Sequence, residues 1–317
     1  MPALRFRADG TFKILQLSDV QDGPEPNPRT LRAMAALLDS EKPDLVVLTG
    51  DTVDTNLCET ADDIRTAIRR IVEPMESRGI PWAHVMGNHD VDGLARIGVA
   101  KRRMMDMYRR HEFNVNPPDP RGIDGAGNGL LEVRRSIGEQ SALGVWLLDS
   151  NAYAPEHAGG QELGGYDWIR ASQVAWYQAT SRSMERRLGG KLPSLMFFHV
   201  CLPEFAEMWA STTTLGERNE AECPARINGG LFAAALDRGD VLGIYVGHDH
   251  VNTYEGSWYG IRLGFGGSIG YASYGLDADG PAGRDRLRGG RVFTIRESDP
   301  WAFETRYLLA ATGQLGN

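Results

Sequence analysis

Five apolar runs in this chain each stop at a small polar cluster, and that repeated junction limits the folds open to it. Residues 14–17 run into Ser18-Asp19, residues 45–48 into Gly50-Asp51, and residues 84–86 into Gly87-Asn88-His89-Asp90. Residues 193–198 end at His199, and residues 241–246 at Gly247-His248-Asp249-His250. Short apolar runs bounded by turn signals read as buried strands. Between the first three, residues 30–38 and 61–78 have helical periodicity. Leu31, Met34, Ala35 and Leu38 share one face, as do Ile64, Ala67, Ile68 and Ile71. Pro74 is expected to break or kink the second helix. Strand, helix, strand, helix, strand is the pattern of parallel βαβ units in a sheet covered on both faces. Ligands of such sheets bind beyond the carboxyl ends of the strands, where the polar clusters fall.

The rest of the chain is read more coarsely. Residues 94–111 form a basic helix whose Met104, Met105, Met107 and Tyr108 suit core packing. Residues 114–128 read as a surface loop, and 130–135 with 144–148 as paired strands. Helices are expected around 172–187 and 231–236, and antiparallel hairpins over 254–265 and 290–309. The glycine-rich stretch 154–165 and the irregular, polar stretch 203–228 are expected to rim the site. With no internal repeat and no linker, residues 1–317 read as one domain.

A formal charge of −8 disfavours nucleic acid or an anionic membrane as partner, since such surfaces need a basic patch. Neither an apolar leader nor an 18-residue apolar span is readable, so a cytoplasmic protein with no membrane partner is expected. Cys58, Cys201 and Cys223 lack CxxC spacing, which points to reduced thiols rather than a disulfide frame or a zinc knot.

The donors at the strand ends are Asp19, Asp51, Asn88, His199, His248 and His250. Oxygen and imidazole without thiolate suit Fe, Mn or Zn. Six donors exceed the needs of one ion, so a bridging carboxylate is expected, and Asp51 is its natural place because Gly50 permits close backbone approach. Two ions roughly 3.5–4 Å apart can hold a bridging hydroxide and clamp a phosphoryl group. The chemistry expected is in-line hydrolysis of a small-molecule phosphoester.

In their order, the blocks Asp19, Gly50-Asp51, Gly87-Asn88-His89-Asp90, His199 and Gly247-His248-Asp249-His250 resemble the signature of the calcineurin-like metallophosphoesterases. Phe197-Phe198-His199-Val200-Cys201-Leu202-Pro203-Glu204, His250-Val251-Asn252 and Gly270-Tyr271 are similar to the subgroup related to the cytosolic-type purple acid phosphatases of plants and fungi. The resemblance implies an α/β fold, a four-layer αββα sandwich of two mixed sheets flanked by helices. It implies Asp51 as the bridge, Asp19 and His250 on a first ion, and Asn88, His199 and His248 on a second. His89 would contact the phosphoryl oxygen or protonate the leaving group, with Asp90 orienting its ring.

The first block departs from the family pattern Asp-x-His, because Gln21 stands where the histidine is usual. The purple enzymes use a tyrosine three residues after the bridge, where this chain has Asp54, so no tyrosinate colour is expected. Gln21 through its amide oxygen, Asp54, Asp22 or water would then complete the first ion, whose site is expected to be weak or empty. Tyr153, His157 and Tyr271 are candidate substrate contacts beside Asn88 and His89, and Asn151 and Tyr274 could shape the pocket. Asp249 alternates away from its histidine neighbours and reads as a supporting residue. His84 and His111 read as packing or surface residues. Two other functions remain open: a cyclic-nucleotide or other phosphodiesterase, and a catalytically weak metal-binding scaffold.

Overall fold

A computed structural model describes residues 3–277 and 280–310. The first part of the chain forms β1 (Thr11–Leu17), α1 (Pro28–Glu41), β2 (Leu45–Thr49), α2 (Ala61–Glu76) and β3 (Trp82–Val85). The three strands pair in parallel. Asn27 caps α1 by accepting from the Arg29 N–H, with Pro28 in the first turn where its missing N–H costs nothing. Thr60 and Asp63 form a reciprocal capping box on α2, which runs through Pro74 close to its end.

The expected single helix over 94–111 is instead two, α3 (Leu94–Ile97) and α4 (Lys101–Tyr108). Gly98, at φ 74°, ends the first in a left-handed cap, so its conformational freedom outweighs the continuous helical pattern. Next come β4 (Gly129–Arg134), β5 (Ser141–Leu147), a small ribbon of β6 (His157–Ala158) and β7 (Gln161–Glu162), α5 (Ala171–Leu188) and β8 (Ser194–Phe197). The stretch 203–228 is more ordered than its polarity suggested, containing α6 (Glu204–Ser211) and β9 (Thr214–Leu215). The chain continues through α7 (Leu231–Arg238), β10 (Val241–Val246), β11 (Glu255–Trp258), β12 (Ile261–Phe265), α8 (Gly280–Arg284), β13 (Gly289–Arg296) and β14 (Asp299–Leu309).

These strands make two mixed sheets, in the orders β14-β13-β1-β2-β3 and β4-β5-β8-β10-β12-β11-β9. Side-chain alternation with period two divides the apolar residues among three buried layers. Phe12, Ile14, Leu45, Val47, Leu195, Phe197 and Tyr245 face the space between the sheets. Their neighbours Leu15, Leu17, Val46 and Leu48 face Met34 of α1, Ile64 and Ile68 of α2 and Met104 of α4. Met196, Ile244 and Val246 face Tyr177 of α5, Phe205 of α6 and Leu231 of α7. The result is a four-layer αββα sandwich. Among the described residues no helix is long and apolar enough to cross a membrane.

A buried polar link aligns the two sheets. Gln16 of β1 donates 3.0 Å hydrogen bonds to Thr49 Oγ1 of β2 and to the Val246 carbonyl of β10. The ends of β1 and β2 thereby meet the end of β10, and β8 lies beside β10 in parallel register. The turns after β1, β2, β8 and β10 open at this seam.

Deep in the middle layer, Phe197 meets Phe293 edge to face at 5.4 Å. Phe197→Ala is expected to lower unfolding free energy by about 3–5 kcal/mol, the range for truncating a buried aromatic side chain. Urea unfolding would measure it; a loss under 1 kcal/mol would show that this layer does not hold the sheets together.

Candidate metal centre

Four of the seven non-glycine residues with positive φ among the described residues lie here: Asp19 (54°), Gln21 (47°), Asp51 (49°) and His248 (73°). Left-handed backbone costs an L-residue roughly 1–2 kcal/mol, so the surrounding structure must impose it. Main-chain bonds do so, from Asp19 N–H to Gly50 O at 3.2 Å and from Gln21 N–H to Asp51 O at 2.8 Å. The turns are also packed too tightly for side chains. A Cβ on Gly87 would fall 2.1 Å from Asp51 Oδ1, and one on Gly247 would fall 1.9 Å from Ser18 Oγ.

Two groups of buried donors result, Asp19-Asp51-His250 and Asp51-His199-His248, each with ligand atoms within 4.8 Å of one another. Asp51 belongs to both, as a bridging carboxylate must. His199 donates from Nδ1 to the Thr49 carbonyl at 2.8 Å, which directs Nε2 to Asp51 Oδ2 at 3.1 Å and to Asn88 Oδ1 at 3.2 Å. His248 Nδ1 lies 3.3 Å from the same Nε2. In the other group His250 Nε2 is 3.2 Å from Asp19 Oδ1. Among the described residues Asp19 Oδ1 is buried without a hydrogen-bond partner, whereas Asp19 Oδ2 accepts from Ser18 Oγ and from the His248 N–H. An orphaned carboxylate oxygen aimed at an imidazole nitrogen is costly unless a cation joins them. The donor set therefore fits metal ions bound through oxygen and imidazole.

The electrostatics agree. Burial penalises charge on both Asp51 and His199, yet their mutual attraction outweighs it, lowering the Asp51 carboxyl and raising the His199 imidazole. Burial and the neighbouring His199 push His248 down to about 3, leaving it neutral and ready to coordinate.

His89 donates its backbone N–H to Asp51 Oδ1 at 2.8 Å, and its half-exposed ring pairs through Nδ1 with Asp92 Oδ2 at 2.8 Å. That hydrogen bond raises His89 to about 9. The ring partner is thus Asp92 and not Asp90. Asp90 is buried, where it accepts from the N–H groups of Val53 at 3.0 Å and Gly87 at 2.9 Å, joining two ligand loops. The only sequence clue to Asp92 was its position three residues beyond His89.

Gln21 comes within 3.4 Å of Asp51 Oδ2, with the amide nitrogen assigned to the near side. Asp54 stays outside, capping a short turn through the Asn56 N–H and standing near His89 and Asp92. Asp22 is buried and turns to the Asn27 N–H. Tyr153 reaches the site, its hydroxyl accepting from Asn88 Nδ2 at 3.2 Å. Tyr166, not singled out by sequence, stacks on Tyr153 and sets its ring 4.2 Å from His248, edge to face. Tyr274 stacks on His250 at 3.9 Å.

Tyr271 does not line the site; it is buried beneath Arg29, whose guanidinium lies 4.1 Å from its ring. His157 is on the exposed β6–β7 ribbon. Asn151 braces the loop after β5, donating to the Trp168 carbonyl. Asp249 accepts from Cys201 Sγ at 3.7 Å, a supporting contact. His84 stacks on Tyr108 and His111 packs on Trp82. Cys58, Cys201 and Cys223 are free thiols.

Residues 12–252 match the calcineurin-like phosphoesterase family. Among curated relatives, probable inactive purple acid phosphatase 14 of Arabidopsis thaliana is 35% identical, over 86% of this chain and 74% of its own length. Phosphatase DCR2 of Saccharomyces cerevisiae is 30% identical over 78% of this chain and 45% of its own. A dimetal phosphatase structure from Danio rerio superposes with a TM-score of 0.53 at 14% identity, covering 95% of this chain and 99% of that one, and shares the fold.

Because Asp51 raises the His199 imidazole, an ion that takes His199 as a ligand is expected to displace its proton. Affinity should rise with pH through neutrality, by about tenfold per unit for one proton displaced. Calorimetry at pH 7 in buffers of different ionisation heat should register about one proton released; no release would refute the Asp51–His199 ion pair.

Proposed function

The chain belongs to the calcineurin-like phosphoesterase family and is a phosphoesterase hydrolase, and from that premise we propose that it hydrolyses a small phosphate monoester or diester at a dinuclear centre bridged by Asp51. The observation that carries this reading is the sharing of Asp51 between two buried donor groups. When bound, the ions supply a water-derived nucleophile at neutral pH and a positive clamp for the phosphoryl oxygens. Asp19 and His250 would hold one ion, with Gln21 as a further candidate, and Asn88, His199 and His248 would hold the other.

The chain's own groups account for the rest of the chemistry. His89 is tied to the bridge through its backbone, and its Nδ1 is committed to Asp92. Nε2 is left as the free donor. With its pKa raised to about 9 by Asp92, His89 carries a proton at neutral pH and can give it to the departing alkoxide. Tyr153, bonded to Asn88, stands at the mouth of the site where it can contact the ester group.

A second reading, a metal-binding scaffold, is favoured by Gln21 in place of an imidazole and by the word "inactive" in the names of the Arabidopsis relatives. Against it stands His89 paired with Asp92, an arrangement that a scaffold does not need.

With Mn, Fe or Zn supplied, the protein is expected to hydrolyse para-nitrophenyl phosphate or its bis ester, and the ratio of the two rates distinguishes a phosphomonoesterase from a phosphodiesterase. No turnover of either ester with two ions bound would favour the scaffold.

His89→Ala is expected to lower kcat by about 10²–10⁴-fold with metal content unchanged. Since His89 is protonated below about 9, kcat for poor leaving groups should fall as pH rises through that value. Asp92→Asn, which removes the charge holding the proton, should move the fall to lower pH. Full activity in His89→Ala, or an unmoved profile in Asp92→Asn, would remove His89 as the acid.

A further inference from the structure

The first ion's donor group has one imidazole, His250, and the structure invests an unusual number of contacts in holding that ring. Tyr274 lies flat against it, with ring centroids 3.9 Å apart and planes 8° from parallel. The Tyr274 carbonyl is 3.3 Å from His250 Nδ1, so Nδ1–H donates to it and Nε2 turns to Asp19 Oδ1. The Tyr274 hydroxyl accepts the His250 backbone N–H at 3.2 Å and donates to Glu220 at 2.9 Å. One residue thus fixes the plane, the rotation and the backbone of the ligand.

Glu220 belongs to a strap, residues 217–222, that is laced to the ligand turn. Glu220 Oε1 accepts the Val251 N–H at 3.0 Å, and Asn252 Oδ1 accepts the N–H groups of Asn219 at 2.9 Å and Glu220 at 3.2 Å. Asn252 Nδ2 returns a bond to the Glu220 carbonyl at 3.1 Å. Glu217 is paired with Arg286 at 2.6 Å. On the other side of Tyr274, buried Arg288 donates to its carbonyl at 2.9 Å and to the Ser273 carbonyl at 2.8 Å. Tyr274 is clamped from both ends.

We propose that Tyr274 and Glu220 are positioning residues for the first metal ion, a relay through which the 217–222 strap sets the orientation of His250. The proposal rests on the two-ion reading of the centre. His199 on the other ion obtains the equivalent orientation from one main-chain carbonyl, that of Thr49. His250 has no such strand carbonyl, and it carries the ion whose other imidazole position is Gln21. Both hydroxyl bonds of Tyr274 are used within the relay, so it orients the ligand and does not coordinate. Removing groups that orient a metal-binding histidine typically weakens metal affinity about 10–100-fold.

The test is Mn²⁺ and Zn²⁺ binding by calorimetry, with a count of bound metal after dialysis and the melting temperature of ion-free protein. The variants are Tyr274→Phe, which keeps the stacked ring and loses the hydroxyl, Glu220→Gln, Tyr274→Ala and His250→Ala. Tyr274→Phe and Glu220→Gln should each weaken one of the two binding events about tenfold, and Tyr274→Ala should approach a hundredfold. The other event and the ion-free melting temperature should stay at their wild-type values.

Wild-type affinities for both ions in Tyr274→Ala, with one ion lost in His250→Ala, would overturn the relay and leave the two-ion reading standing. Equal weakening of both events, or a lowered ion-free melting temperature, would make Tyr274 a general prop and overturn the relay. A protein that binds one ion, or two, without regard to His250 would refute the two-ion reading itself.

Discussion

The Asp51 carboxylate is the charge on which the other parts of this site depend. It is buried, with Oδ1 held by the His89 N–H and Oδ2 facing the His199 imidazole, which comes from the other sheet. A buried carboxylate in that position is tolerable only with opposite charge against it. The His199 imidazole, raised by its attraction to Asp51, supplies that charge. The left-handed backbone of Asp51, the absence of a side chain at Gly87 and the Gln16 link between the sheets all serve to bring donors from separate strands to one carboxylate.

That dependence explains why the site was so legible before the fold. A parallel strand must end where its ligand turn begins, so Asp19, Asp51, Asn88, His199, His248 and His250 each follow an apolar run in sequence as in space. The sandwich was legible for a related reason. Residues of β1, β2 and β8 are apolar on both faces, and only a sheet covered on both sides can bury them. The αββα expectation came from the family resemblance, and the three buried layers bear it out.

The parts that were not legible are those set by contact instead of position in a strand. Asp90 and Asp92 are both acids near His89, and nothing in their order says that the nearer one turns inward to bond Val53 and Gly87 while the farther one meets the ring. Gln16 sits inside an otherwise apolar run, and its polar side chain is the link across the seam. Residues 94–111 have a continuous helical pattern, and a single glycine with a left-handed backbone interrupts it. Within the 203–228 stretch, residues 219–220 are ordered by bonds to Val251 and Asn252, distant in sequence, which no local pattern reveals.

The candidate donors are supported by different kinds of structure, and this bears on how Gln21 can stand where the family pattern has an imidazole. Some of the candidate donors hang on strands: His199 is oriented by a β2 carbonyl, and Asn88 follows β3. Regular secondary structure pins these groups, and they have little room to adjust. His250 is held by Tyr274, Glu220 and Arg288, residues from loop segments. Side-chain contacts can be retuned by single substitutions without disturbing a sheet, whereas a strand register cannot. A replacement among the candidate donors is therefore accommodated more readily around His250 than around His199.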